Sequence, residues 1–253
     1  MKLKINTGRG VFQYKFQVIY EGVKVMNQEI GRENLLIVKR LADNVGLRFS
    51  LAYGTMLGAI REHDFIPHDE DIDLCILQED IETFKNLLWD LREEGFEVMR
   101  FDRRNSLCSI IRKGEYIDIY IFRKLCEGVR EFNGEAIWEK YLTDLEEIDF
   151  QGGKFLIAKE AADFCLFEYG ESWQTPIAMK PYDMAWYQKK LSQLFWWLHF
   201  NLPDCLFFPW MQRNGEGKIE AFNKKVDRYN KIAGKTVYDK IPEVIYHIAK
   251  TKK

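Results

Sequence analysis

A basic excess, paired cysteines and long apolar runs are all missing from this 253-residue chain. Its 37 Lys and Arg are offset by 39 Asp and Glu, for a formal net charge of −2. That excludes general attraction to nucleic acid, which depends on clustered Lys and Arg. The five cysteines, Cys75, Cys108, Cys126, Cys165 and Cys205, are odd in number and scattered, with no C-x-x-C. They speak for a reducing compartment and against a zinc site. The opening residues, MKLKINTGRGVFQYK, contain no apolar core of a secretory signal, so the expected location is the cytoplasm. The most apolar window, Leu191 to Trp210, is broken by Gln193, His199, Asn201, Pro203 and Asp204, too often for a bilayer span. GEGK at Gly215 to Lys218 lacks the spacing of a P-loop and reads as a loop. The basic Lys250 to Lys253 reads as a solvated end.

What is present is concentrated between Ser50 and Leu74, SLAYGTMLGAIREHDFIPHDEDIDL. Asp71, Asp73 and Cys75 alternate with Ile72, Leu74 and Ile76, and a strand repeats every two residues. Asp71 and Asp73 are therefore expected on one face. Two carboxylates about 4 Å apart repel by roughly 4 kcal/mol at an effective dielectric near 20. With Asp69 and Glu70 adjacent, the acid density calls for a cation or open solvent. Mg²⁺ fits, being held by one or two carboxylates plus the oxygens of a substrate phosphate. A second strand pattern places Asp118 between Ile117 and Ile119, flanked by Tyr116 and Tyr120. This makes Asp118 a candidate third ligand; the plain alternative is a solvent-facing acid on an edge strand. Gly54 and Thr55 precede the acids, and a glycine there lets backbone amides approach a phosphate; an ordinary loop glycine is the alternative.

The run YGTMLGAIREHDFIPHDEDIDL resembles the signature of the LicD family of phosphocholine and related transferases, which includes fukutin-like enzymes. Gly54, Thr55, Leu57, Gly58, Arg61, Phe65, Ile66, Pro67, Asp71 and Asp73 match its pattern in order, and Asp118 within YIDIYIF resembles its third acidic position. FEYGESWQTP, from Phe167 to Pro176, is similar to a later family segment. The likeness extends from about Leu35 to Pro176. His68, Asp64, Glu70, Glu171 and Trp173 depart from the usual Trp, Gly, Asp, Asp and Tyr. These departures leave every candidate metal ligand in place but alter the side chains beside it, which bear on the donor's head group.

Apolar spacing predicts a helix from Glu33 to Val45 capped by Gly46, a strand from Arg48 to Ala52, and a helix marked by Ile81, Phe84, Leu87, Leu88 and Leu91 ending at Gly95. Strands follow over Phe96 to Phe101, Leu107 to Arg112 and Glu115 to Phe122, with further helices near Ala161 to Phe167 and Ala185 to Phe200. This order fits an α+β, nucleotidyltransferase-like mixed sheet flanked by helices. Residues 1–153 would form that core and 154–253 a helical, aromatic-rich region packed on it, or the two would be a single domain. The dense aromatics read either as core or as a wall for the acceptor or a membrane surface.

Together these features predict an enzyme with Asp71, Asp73 and Asp118 as catalytic, metal-binding acids for Mg²⁺ or Mn²⁺, and with Gly54, Thr55, Arg61 and His68 on the substrate. Arg61 would neutralise phosphate charge or simply pair with Glu62 or Asp64; His68 would touch substrate or serve as a loop residue. His63 reads like His68, and His199 and His247 read as structural. The resemblance implies transfer of a substituted phosphate from a CDP- or CMP-linked donor to a hydroxyl of a glycan or lipid-linked glycan, in the cytoplasm or at the membrane's inner face. Two alternatives stand: attachment of a nucleoside monophosphate to a small molecule or protein, and a non-catalytic glycan- or nucleotide-binding module.

Overall fold

A computed structural model describes residues 2–17, 24–102, 104, 106–132, 135–177, 185–201 and 204–241. Helix α1 (Gln28–Asn44) starts ahead of the residue that apolar spacing predicts, because the Asn27 side chain accepts the amides of Glu29 and Ile30. It ends where Gly46 turns left-handed, at φ +67. Its buried Leu35, Val38 and Leu41 form the inward stripe. Buried Asn34 adds a polar tie by donating to the backbone carbonyls of Arg112 and Glu115.

The chain then enters the sheet through β3 (Ser50–Leu51), helix α2 (Tyr53–Arg61) and β4 (Ile72–Leu77). Gly54 and Thr55, expected in a loop turn, lie instead in the first turn of α2. Helix α3 (Ile81–Glu93) buries the five apolar residues its spacing marks and stops before Gly95, at φ +88. Strands β5 (Glu97–Phe101), β6 (Leu107–Arg112) and β7 (Glu115–Cys126) form an antiparallel set. β7 then lies parallel to β4 and antiparallel to β8 (Val129–Phe132), which pairs with β9 (Glu135–Trp138). After the short helix α4 (Lys140–Thr143) come β10 (Leu145–Phe150) and β11 (Gly153–Ala158). The nine-stranded sheet runs β10-β11-β3-β4-β7-β6-β5, with β8 and β9 attached through β7. This is the mixed α+β class that the sequence predicts.

Four features depart from the sequence reading. The opening residues form a hairpin, β1 (Lys2–Thr7) with β2 (Gly10–Lys15), whose Ile5, Phe12 and Tyr14 enter the core. The β10–β11 hairpin was not anticipated. Gln151 and Gly152 both have positive φ, the backbone of a two-residue hairpin turn. Because β11 pairs with β3 inside the sheet, a boundary at residue 153 cuts through the sheet, which continues to Ala158. Residues 215–218 are helical, within α7 (Asp204–Ala233); one turn later Ile219, Phe222, Val226 and Tyr229 bury a stripe at helical spacing.

Helix α5 (Ala161–Tyr169) receives that stripe through Phe167, and its Asp163 accepts the hydroxyls of Tyr141, Tyr229 and Tyr238. Helix α6 (Trp186–Asn201) exposes Trp186, Tyr187, Leu191 and Leu194. The side chains of Trp196, Trp197, His199 and Trp210, together with His247 and Lys250 to Lys253, lie outside the described residues. Among the described residues no helix is long and apolar enough to cross a membrane.

Gly58 shows how tightly α2 is seated. A Cβ at this position would stand 2.6 Å from the Asp64 carbonyl oxygen and 3.2 Å from the Ile66 amide nitrogen, both of them backbone. Alanine is intrinsically the better helix former by about 1 kcal/mol, so an open site would be stabilised by Gly58→Ala. The overpacking predicts the opposite sign, a loss of about 1–3 kcal/mol, measurable as a lower urea midpoint at unchanged slope.

Candidate active site

Strands β4 and β7 align Asp73 with Asp118 across their parallel ladder, with Ile72 beside Ile117 and Leu74 beside Ile119. Alternation thus sends the apolar residues to one side and the acids to the other. Asp73 is 7% exposed and Asp118 4%, and both line a cavity of about 710 Å³ together with Asp69, Glu70 and Asp71. Asp71 sits at the entrance to β4, where the strand leaves the Phe65 to Glu70 loop.

Asp73 is held from three directions. Its Oδ2 accepts the Gly54 amide at 2.9 Å, its Oδ1 accepts the Tyr120 hydroxyl at 3.0 Å, and its own amide donates to Thr55 Oγ1 at 2.8 Å. Gly54 is needed because a Cβ there would meet Asp69 Oδ2 at 2.8 Å and Asp73 Oδ2 at 3.1 Å. The preceding residue, Tyr53, has φ +36, an uncommon conformation for a bulky residue. Its ring packs edge-on against Tyr120, Phe132 and Phe164. Aromatic packing thus holds a strained backbone that aims the Gly54 amide at the acid.

Asp118 has different partners. An Arg100 terminal nitrogen donates to its Oδ2 at 2.9 Å, and the Ser109 hydroxyl donates to its Oδ1. Each carboxylate oxygen still has a second lone pair. Among the described residues no three His, Cys, Asp or Glu side chains are already spaced to enclose an ion. A cation at the acids would therefore complete its shell with substrate and water oxygens, as Mg²⁺ commonly does.

The electrostatics follow from burial. Loss of solvent, then the charges of Asp73, Asp118, Asp69 and Glu70, pushes Asp71 well above the usual carboxylate range. Asp73 is pushed up to about 8 by burial and then by Asp69 and Asp118, with the Tyr120 hydroxyl and Gly54 amide pulling the other way. Asp69 is raised by burial too, against the Glu70 amide and His68. Burial and the neighbouring acids also raise Tyr120, so its phenol stays protonated and remains a donor.

Other residues singled out in the sequence distribute unevenly. Gly54, Arg61 and His68 line the cavity with the three aspartates. Thr55 does not: it is 1% exposed and engaged with the Asp73 backbone. Arg61 pairs with Glu62 at 2.7 Å and donates to the Trp173 carbonyl at 3.0 Å, so its guanidinium both borders the cavity and ties down the far wall. That wall is the later motif segment, with Tyr169, Ser172, Trp173 and Thr175 facing the space. His63 lies away from it, beside the β10–β11 turn. Sequence reasoning missed Tyr116 and Tyr120 as lining residues although they share Asp118's period. It also missed Arg100 and Ser109, which strand register alone brings to Asp118.

Parts of the chain are similar to known proteins. Two curated relatives align over 78 residues: uncharacterized protein RT0683 of Rickettsia typhi (strain ATCC VR-144 / Wilmington) at 30% identity and uncharacterized protein RP689 of Rickettsia prowazekii (strain Madrid E) at 31%. The aligned stretch is 31% of this chain but only 24% and 27% of those proteins. Among solved structures, the crystal structure of ANT(2")-Ia in complex with adenylyl-2"-tobramycin superposes with a TM-score of 0.39 at 17% identity, covering 64% of this chain and 86% of that one. A solution structure of the antibiotic-resistance factor ANT(2'')-Ia gives 0.42 at 16% identity, covering 82% and 97%. The family model described as LicD/FKTN/FKRP, nucleotidyltransferase domain, matches residues 46–157, which span β3, α2 and the acid-bearing strands β4 and β7. The match assigns this segment, less than half of the chain, to the LicD/FKTN/FKRP nucleotidyltransferase family.

Proposed function

We propose that this chain is a transferase that moves a substituted phosphate from a CDP- or CMP-linked donor to a hydroxyl of a cell-surface glycan or its lipid-linked precursor. The observation that carries the reading is the gathering of Asp71, Asp73 and Asp118 with Arg61 and His68 around one cavity, within the segment matched by the family. A non-catalytic module has no physical need for clustered acids, two of which, Asp71 and Asp73, have charged forms that burial disfavours.

The donor set fits a hard divalent cation: oxygen ligands only, in excess of negative charge. Asp71 and Asp73 would hold Mg²⁺ or Mn²⁺, with Asp118 a further ligand or the group that takes the acceptor's proton. When bound, the ion supplies neutralisation of the donor's phosphates and of the departing CMP. The Gly54 amide and Tyr120 hydroxyl orient Asp73. Arg61 adds a fixed positive charge beside the phosphates, held in place by Glu62 and the Trp173 carbonyl. The acceptor's hydroxyl oxygen would form the new bond to the phosphorus that carries the head group, the bond from that phosphorus to the CMP oxygen would break with its electron pair leaving on CMP, and the hydroxyl proton would pass to Asp118 or to the departing CMP phosphate. Tyr169 and Trp173 offer apolar faces to the head group or the acceptor sugar. The exposed aromatic and aliphatic side chains of α6 suit an acceptor presented at the inner face of a membrane.

The direct test is incubation with CDP-choline, CDP-ribitol and CDP-glycerol plus Mg²⁺ and glycan acceptors, following CMP release and product mass. Release of CMP with the head group and one phosphate on the acceptor is the expected result; CMP or AMP retained on the acceptor would establish nucleotidyl transfer instead. Asp71→Asn and Asp73→Asn should each lower turnover by orders of magnitude while the protein stays folded, and near-normal activity of either at saturating Mg²⁺ would refute the metal assignment.

A pH experiment probes the same acids without substrate. Because the folded-state pKa of Asp73 is about 8 against an ordinary value of 3.8, folding disfavours its charged form. The penalty is absent below the unfolded value, grows as pH rises, and is complete above the folded one. Without divalent cation, the melting temperature should fall between about pH 5 and pH 8, and Mg²⁺ at the upper end should restore it. A melting temperature indifferent to Mg²⁺ at the upper end would count against cation binding at these acids.

A further inference from the structure

Asp73, Asp118, Ser109 and Arg100 stand abreast across four neighbouring strands: Asp73 is in register with Asp118, Asp118 with Ser109, and Ser109 with Arg100. Arg100 reaches this row through an irregularity. The β5–β6 register shifts between Val98 and Arg100, which inserts Met99 as an extra residue. Without it Arg100 would oppose Cys108 and project from the other face of the sheet. Bulges next to functional sites commonly re-aim a side chain in this way. Arg100 is 5% exposed. Its Nε donates to Ser109 Oγ at 2.7 Å, a terminal nitrogen donates to Asp118 Oδ2 at 2.9 Å, and Ser109 Oγ closes the triangle on Asp118 Oδ1. A buried arginine is tolerated only where it is paired and hydrogen-bonded, and the pair here is the third acid of the cavity.

We infer that Arg100 is a positioning residue for the transfer reaction: directly and through Ser109 it fixes the Asp118 carboxylate, and its guanidinium is the built-in counter-charge of the acid row. The inference rests on the reading of those acids as a cation and phosphate site. Two contributions separate under substitution. Removing the charge leaves the acids with one more uncompensated negative charge, which attracts a divalent ion more strongly. Removing only the planar fork keeps the charge but loosens Asp118, because an ammonium cannot span Asp118 and Ser109 as a guanidinium does.

The experiment is a Mn²⁺ titration of the full-length protein followed by electron paramagnetic resonance of the free ion, alongside CMP release from the three CDP-linked donors. Arg100→Gln should bind Mn²⁺ at least about threefold more tightly than the parent, with turnover lowered by orders of magnitude. Arg100→Lys should keep Mn²⁺ affinity within about twofold of the parent and still lose turnover. Should Arg100→Gln fail to fold, Ser109→Ala removes one leg of the triangle and retains the charge; it should leave Mn²⁺ binding unchanged and lower kcat about tenfold. A parent that binds Mn²⁺ and releases CMP, with Arg100→Gln or, in its place, Ser109→Ala equal to it in both, overturns the Arg100 assignment alone. A parent that binds no Mn²⁺ overturns the counter-charge claim together with the cation reading beneath it.

Discussion

Two carboxylates side by side on adjacent, buried parallel strands are the constraint around which this structure is arranged. Asp73 and Asp118 sit in register at the centre of the sheet, where few waters can screen them and mutual repulsion is at its strongest. The surrounding chain supplies donors. Helix α2 begins so that the Gly54 amide meets Asp73, Thr55 receives the Asp73 backbone amide, and β7 returns the Tyr120 hydroxyl two residues beyond Asp118. The glycine, the left-handed Tyr53 and the aromatic cluster that holds it are all consequences of bringing a helix N-terminus that close to the acids.

The compensation is uneven, and the unevenness carries information about function. Asp118 meets a cation within the protein, whereas Asp73 meets only neutral donors and Asp71 faces four other acids. Asp71 and Asp73 are accordingly pushed toward their neutral forms. A fold optimised for stability alone would replace them, since buried polar groups with incomplete partners weaken folding. Their presence is accounted for if the missing positive charge arrives from solution.

Much of this was legible in the sequence because period two is unambiguous when large apolar residues alternate with acids. Asp71, Asp73 and Asp118 could be placed on strands, and α1 and α3 ended where Gly46 and Gly95 mark them. What escaped depended on non-local pairing. The β10–β11 hairpin turns on Gln151-Gly152, a weaker signal than Asn-Gly or Asp-Gly, and its Glu146, Glu147 and Asp149 dilute the strand pattern. Arg100 lies nine residues from Ser109 and eighteen from Asp118, and nothing in its local sequence announces a bulge. The glycines at 215 and 217 suggested a loop, but the apolar stripe that follows them in α7 outweighs their propensity.

The C-terminal half is tied mechanically to the site rather than merely adjacent to it. The cavity's far wall, Tyr169 to Trp173, follows α5 through Gly170, at φ +85. Arg228 of α7 lies 3.5 Å from where a Cβ on that glycine would stand, and it donates to the carbonyls of Phe167 and Glu168. Tyr229, the next residue, bonds Asp163 one helix turn earlier in α5. On the opposite side Arg61 grips the Trp173 carbonyl. The wall is therefore clamped between the motif helix α2 and the C-terminal helix α7. A displacement of α7 would move Tyr169 and Trp173 relative to acids whose own positions are fixed by the sheet, so the width of the cavity is set by the C-terminal region even though the acids lie in the first half of the chain.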